Sequence, residues 1–213
     1  MNYLFNFPET NRNKIATAVS YLFHPILLPS WCFLALAFLA PSYLIQLPVK
    51  MTWVLFGFIL MLTAVFPVLI MLLMIRAKMI SSLMLHSRFE RNGPVLVTAV
   101  FFFIAYYLLD YFGFAAIYGY YLLCATSLSL ITMMINPFLK ISLHAIGHGA
   151  NVAVFINLAL MIEMPLYIVI GFILIAGITA TSRLILRVHK PAEVYAGFLL
   201  GMLVMTLLFQ LIL

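Results

Sequence analysis

The sequence predicts an all-α fold: a polytopic membrane bundle of six to seven transmembrane helices, forming a single membrane domain over residues 1–213. Three observations predict it. Hydrophobic residues make up 67% of the chain and charged residues only 8%, against about 25% charged in a soluble domain. The apolar residues gather in runs of about twenty, the length that crosses a bilayer at about 1.5 Å per residue. The polar residues fall in short stretches between those runs, punctuated by proline, glycine and asparagine.

The elements follow in order. Residues 1–14 form a polar N-terminal segment, MNYLFNFPETNRNK. It lacks the charge-then-apolar order of a cleaved signal peptide, so the first span is expected to direct insertion. The first apolar run, about Ile15–Ala40, contains His24-Pro25 and Pro29. Proline there breaks or kinks its early turns. If the broken run is re-entrant or interfacial, six crossings remain; otherwise seven. A turn at Pro41–Pro48 leads to a second run, about Met51–Ile75. The longest polar interruption follows, Arg76 to Pro94. Two further runs, about Val95–Leu109 and Phe114–Ile135, are separated by Asp110 and Gly113, and Asn136-Pro137 ends the second. After the stretch KISLHAIGHGAN, Lys140 to Asn151, come runs at about Val152–Ile162, extended backwards into that stretch, and Pro165–Ala180, hinged at Glu163 and Pro165. The last run, about Ala192–Leu213, carries Gly197 and Gly201 in a spacing that lets helix backbones approach closely.

Parity gives this layout a consequence. Three polar stretches, near residues 76–94, 136–148 and 182–193, are each separated by two apolar runs. If every run crosses, all three meet on one face of the membrane. The net charge of +6 is spread over loops without an aromatic-basic platform, which argues against nucleic acid and for phospholipid headgroups. Cys32 and Cys124 each sit inside an apolar run and read as small buried residues rather than a disulfide.

The chemistry concentrates in Ser182–Gly201, SRLILRVHKPAEVYAGFLLG. Charge at the rim of a span costs about 2.5–3.5 kcal/mol per group on insertion scales, so such residues are functional candidates by default. Pro191 suits the first turn of a helix. A helix starting near His189 places Glu193 on the same face, four residues on. A carboxylate there fixes one imidazole nitrogen and leaves the other as an oriented base or nucleophile. Arg183 brings a planar cation to the same place. Together these groups suggest chemistry on a phosphate.

On these residues the chain resembles the type 2 phosphatidic acid phosphatase family, relatives of the vanadium haloperoxidases. That family carries three blocks, K-x6-R-P, P-S-G-H and S-R-x5-H-x3-D. Ser182-Arg183, His189 and Glu193 reproduce the third, with Glu for Asp. Ser142-Leu143-His144 retains the Ser and His of the second and loses its Pro and Gly; a rival register at Ala145–His148 retains Gly147 and His148. In the first block Pro94 is present, Gly93 precedes it, and His86 takes the lysine position. Arg88 and Arg91, in R-x-x-R-x-x-P, are the nearest substitutes. The resemblance spans residues 88–201 as a catalytic core and leaves the region before it unassigned.

The resemblance implies a lipid phosphatase that forms a phosphohistidine on His189, oriented by Glu193, with His144 as acid and then base. Arg183, Arg88, Arg91, Lys140 and Ser142 would bind the phosphate. It implies no metal and no cofactor. The substrate would be a phospholipid or isoprenoid-lipid phosphate: phosphatidic acid, phosphatidylglycerol phosphate, a polyprenyl diphosphate or a lipid A phosphate. Two other readings stay open. His144, His148, His189 and Glu193 could form a zinc set, or the protein could be a transporter, channel or inactive lipid-binding relative. His24, His86 and the remaining basic residues read as interfacial. The expected location is the plasma (inner) membrane of a bacterium. The face is open: ten of the eleven Lys and Arg lie on the motif side under seven crossings, which favours the cytoplasm, whereas the family more often faces away from it.

Overall fold

A computed structural model describes residues 9–39, 47–81, 89–114, 116–162 and 164–212. Among them every regular element is helical. The first apolar run is two short helices, α1 (Glu9–Leu22) and α2 (Leu28–Phe38). At 14 and 11 residues neither reaches across the roughly 30 Å of a hydrocarbon core. The break falls at His24-Pro25, where the chain turns and Trp31 donates its indole N–H to Leu22 O at 2.9 Å. The expected turn at Pro41–Pro48 lies largely outside the described residues, as do His86, Arg88 and Glu163.

Among the described residues six helices are long and apolar enough to cross a membrane, so this is a multi-pass membrane protein of the all-α class. The first is the continuous stretch Val49–Arg76, made of α3 (Val49–Leu60), a π-helical turn (Met61–Val65) and α4 (Phe66–Arg76). Then come α5 (Asn92–Tyr111), α6 (Ala116–Ile135), α7 (Leu143–Ile162), α8 (Leu166–Ile185) and α9 (Pro191–Ile212). A 3-10 turn, Phe89–Arg91, leads into α5. The polar stretch from Lys140 to Asn151 is therefore mostly helix, because α7 begins at Leu143.

The centre of the bundle is α7. Of its most apolar stretch 67% is buried, against 28% for α8 and for α9. The others turn large side chains such as Leu69, Phe103, Ile173 and Leu203 outward, as a lipid-facing rim requires. The most extensive helix pair is α7 with α9; α5 pairs with α6, α8 packs on α7, and α1 packs on α8.

Small residues make the α7–α9 contact possible. A Cβ at Gly149 would collide with Phe198 O, and one at Gly201 with Ile146 O. At Gly197 it would crowd Ser142 O and the Ala145 methyl. Lipid tails are as apolar as leucine, so such pairs hold by close packing and hydrogen bonds rather than by a hydrophobic drive. The hydrogen bonds are present: Asn157 Nδ2 donates to Thr206 Oγ1 at 3.4 Å and Gln210 Nε2 to Asn157 Oδ1 at 3.3 Å.

Four further bonds gather one face. Arg91 Nη1 donates to Ile141 O at 3.4 Å, Lys140 Nζ to Val188 O at 3.4 Å and the Ser142 N–H to Glu193 O at 3.2 Å. Asn136 Nδ2 donates to Asn92 Oδ1 at 2.9 Å, joining the end of α6 to the start of α5. The three polar connections thus meet at one end of the bundle. Glu90, on the first of them, takes the Ser81 hydroxyl at 2.7 Å.

Two glycine substitutions test the close approach. Gly201→Val should destabilise the folded protein by about 1–3 kcal/mol through overpacking. Gly171→Ala, where nothing lies within 4 Å of the added atom, should leave stability unchanged or slightly raised. Thermal unfolding in detergent reads both; equal midpoints would show that α7 and α9 do not meet this way.

Candidate active site

The connection between α8 and α9 places the first histidine. The helix α8 ends at Ile185, and Arg187 adopts a left-handed backbone, φ 54°, a conformation costing roughly 1–2 kcal/mol for a residue with a Cβ. The chain reverses there, and Pro191 starts α9 with a fixed φ and no N–H to leave unsatisfied. His189 therefore lies just outside the helix, not in its first turn. It still reaches Glu193: Nδ1 to Oε2 is 2.7 Å. Facing a carboxylate, Nδ1 carries the hydrogen and donates it, which leaves Nε2 as a lone-pair nitrogen. The His189 side chain is 4% exposed. Burial holds its pKa below the ordinary histidine value; the Glu193 hydrogen bond pulls the other way, and the Arg91 and Arg183 charges add to the lowering. The ring is thus neutral near pH 7.

A cavity of about 160 Å³ opens beside this ring. Its polar end is lined by His189, Arg183, Arg91, His144 and His24. Its other end runs between apolar side chains, among them Met71, Phe102, Leu128 and Met205, with Thr98 and Ser129 between them. The hydroxyls of Thr98 and Ser129 bond back to Pro94 O and Ala125 O in their own helices, so neither donor is left over for a ligand. The cavity has the shape of an amphiphile's site, cationic at the head and oily at the tail.

Arg183 and Arg91 supply the fixed charge. Arg183 Nε is buried without a hydrogen-bond partner among the described residues, and such an atom calls for an acceptor. Arg91 is 7% exposed. Burial lowers its pKa and Glu193 opposes that, but a guanidinium stays charged.

His144 stands at the start of α7. Its Nε2 meets Ser20 O at 3.0 Å; a carbonyl accepts, so Nε2 carries a hydrogen and Nδ1 is left for proton traffic. Ser142 and Lys140, also expected as phosphate ligands, are placed differently. Ser142 is fully buried and does not line the cavity; its hydroxyl accepts the Ala145 N–H at 3.4 Å, the cap of α7. Lys140 also stands outside the cavity, with Nζ 4.0 Å from Glu193 Oε2. Arg88 lies outside the described residues.

His148 is 2% exposed and packs edge-on against Phe23, with Nε2 lacking a hydrogen-bond partner among the described residues. Its neighbours differ from those of His144, and among the described residues no three or more of His, Cys, Asp and Glu gather closely enough to hold a metal ion. The residue that sequence reasoning passed over is His24. It lines the cavity, with its ring 5.1 Å from that of His144 and nearly perpendicular to it. A titratable group inside an apolar run was the available signal.

No family model, no curated protein and no solved structure matches the chain.

The His189 environment can be checked by titrating ¹⁵N-histidine-labelled protein by NMR. The wild-type ring should titrate below the ordinary value of about 6.5. Glu193→Gln removes a raising influence and should lower it further; Arg183→Gln removes a lowering one and should raise it. Shifts in the opposite directions would overturn the assigned pairing.

Proposed function

We propose that this protein is a membrane lipid phosphatase that hydrolyses a phosphomonoester or diphosphate of a lipid through a phosphohistidine. The observation that carries the reading is the cavity that brings His189, with its Nδ1 held by Glu193, together with Arg183, Arg91 and His144. The resemblance of Ser182–Gly201 to the type 2 phosphatidic acid phosphatases supports it from the sequence side. Further support is the amphiphilic lining, which suits a phosphate head and an apolar tail better than a soluble ester. The location proposed with it is the plasma (inner) membrane of a bacterium.

The chemistry follows from the geometry. His189 Nε2 attacks phosphorus while the bond from phosphorus to the lipid oxygen breaks. The Nδ1 hydrogen stays shared with Glu193, which stabilises the imidazolium that forms. His144, protonated at Nδ1, gives that hydrogen to the leaving oxygen. Water then attacks the phosphohistidine, returns a proton to His144 and releases phosphate, and His189 is restored. Arg183 and Arg91 hold the non-bridging oxygens as charge builds on them. The polar contacts of Ser142 and Lys140 suit a supporting role: one caps the helix that carries His144, and the other braces the loop that carries His189.

Phosphate release from a panel of lipid phosphates in detergent, with chelator present, is the test. Release should be blocked by vanadate and fall by at least about 10³-fold in His189→Ala, since the nucleophile is lost. His144→Ala should cost about 10²–10⁴-fold, and Arg183→Ala about 10²–10³-fold in kcat. Undiminished release by His189→Ala would remove the phosphohistidine. No release from any lipid by a folded wild-type protein would favour a binding or transport role.

A further inference from the structure

Residues 9–39 lie outside the region that resembles the phosphatase family, yet they contribute a wall of the cavity. Ser20 O on α1 holds His144, and the turn between α1 and α2 delivers His24. That turn is closely determined. The Leu27 N–H donates to His24 O at 2.8 Å and Leu28 N–H to Pro25 O at 3.3 Å. Trp31 closes it from outside through its bond to Leu22 O. Leu28 is buried against Gly147 of α7, where a Cβ would strike its methyl group. The turn is thus seated on the helix that carries His144.

The His24 ring has one orientation that satisfies this backbone. The Ile26 N–H points at Nδ1, 3.3 Å away, so Nδ1 is the acceptor. In a neutral imidazole the hydrogen then sits on Nε2. The ring's remaining polar group is therefore a donor, on a side chain that lines the cavity beside Arg183 and His144. We propose that His24 is a third histidine of the site, whose Nε2–H binds an oxygen of the phosphoryl group that His189 attacks.

Charge explains why a neutral donor suits this position. Two guanidiniums already face the cavity and His144 takes up a proton in the reaction, so a further cation at His24 would be buried among like charges. Burial, with the Arg183 charge second, holds the His24 pKa down to about 4, so the ring donates without adding charge. A neutral N–H still bonds a phosphate oxygen, and bonds to a charged acceptor are the stronger kind. The role rests on the phosphatase reading and extends it: the broken first helix becomes part of substrate recognition.

Vanadate, a phosphate mimic, separates the two claims, with binding to the full chain in detergent measured by calorimetry. His24→Phe keeps a ring against His144 and removes the donor; affinity should fall about tenfold or more. His24→Gln keeps an N–H near the Nε2 position and should bind within about threefold of wild type, since the hydrogen bond is retained. In ¹⁵N-histidine spectra of the wild type, the His24 Nε2 signal should move when vanadate is added. Unaltered affinity in His24→Phe, or an unmoved signal, would overturn the role of His24 and leave the phosphatase reading standing. Equal weakening in both variants, with lowered thermal midpoints, would make the residue structural and overturn it too. A folded wild type that neither binds vanadate nor releases phosphate would overturn the phosphatase reading, and this extension with it.

Discussion

The close crossing of α7 and α9 is the constraint on which the rest of the structure depends. Glycines at 149, 197 and 201 bring two backbones into direct contact, and the Ser142 N–H ties the start of one helix to the first turn of the other through Glu193 O. That bond sets the register. His144 follows two residues after Ser142 on one helix, and Glu193 presents its side chain to His189 on the other. A helix pair separated by larger side chains would slide and rotate more freely, and the two histidines would lose their fixed relation. In a bilayer, where apolar burial gives helices little reason to choose one neighbour over another, this steric match supplies the choice.

Charge is distributed with similar economy. Among the described residues Glu193 is the carboxylate that engages His189, at 2.7 Å, and Lys140 approaches it. Two cations, Arg91 and Arg183, line the cavity, and the Arg183 Nε is buried without a hydrogen-bond partner among the described residues. Buried cations so arranged raise the cost of the empty site and lower that of an anion entering it. The apolar walls beyond them continue into the bundle, so head and tail of a lipid phosphate would be sorted by the same cavity.

Much of this was legible in the sequence because its signals are local. Runs of about twenty apolar residues announce spans whatever their partners are. The spacing from His189 to Glu193 survives the helix starting two residues later than expected, since both orders let the side chains meet. Alternation of runs was enough to bring three polar stretches to one face. The parts that were not legible depend on distance in three dimensions. Ser142 was read beside His144 as a phosphate ligand, but helix geometry turns its hydroxyl to the Ala145 N–H, and no property of the triplet alone separates the two. Lys140 was similarly adjacent in sequence and stands outside the cavity. His24 was read as interfacial because its own run says nothing of what packs against it. Only the packing of α1 on α8 and of α2 on α7 shows that a residue 120 positions before His144 is its neighbour.

The π turn at Met61–Val65 has a bearing on the same cavity. One widened turn in an otherwise regular span accommodates an extra residue, and each residue of a helix advances the azimuth by about 100°. The two halves of Val49–Arg76 are therefore out of phase. The first half meets α2, with Thr63 in the turn itself 3.3 Å from the Ser30 hydroxyl. The second half meets α5 and sends Met71 to the cavity wall. A single rod of uniform pitch would present one continuous stripe and serve only one of these neighbours. The dislocation lets one span act as two gaskets with different bearings, sealing the short helix on one side and the cavity on the other.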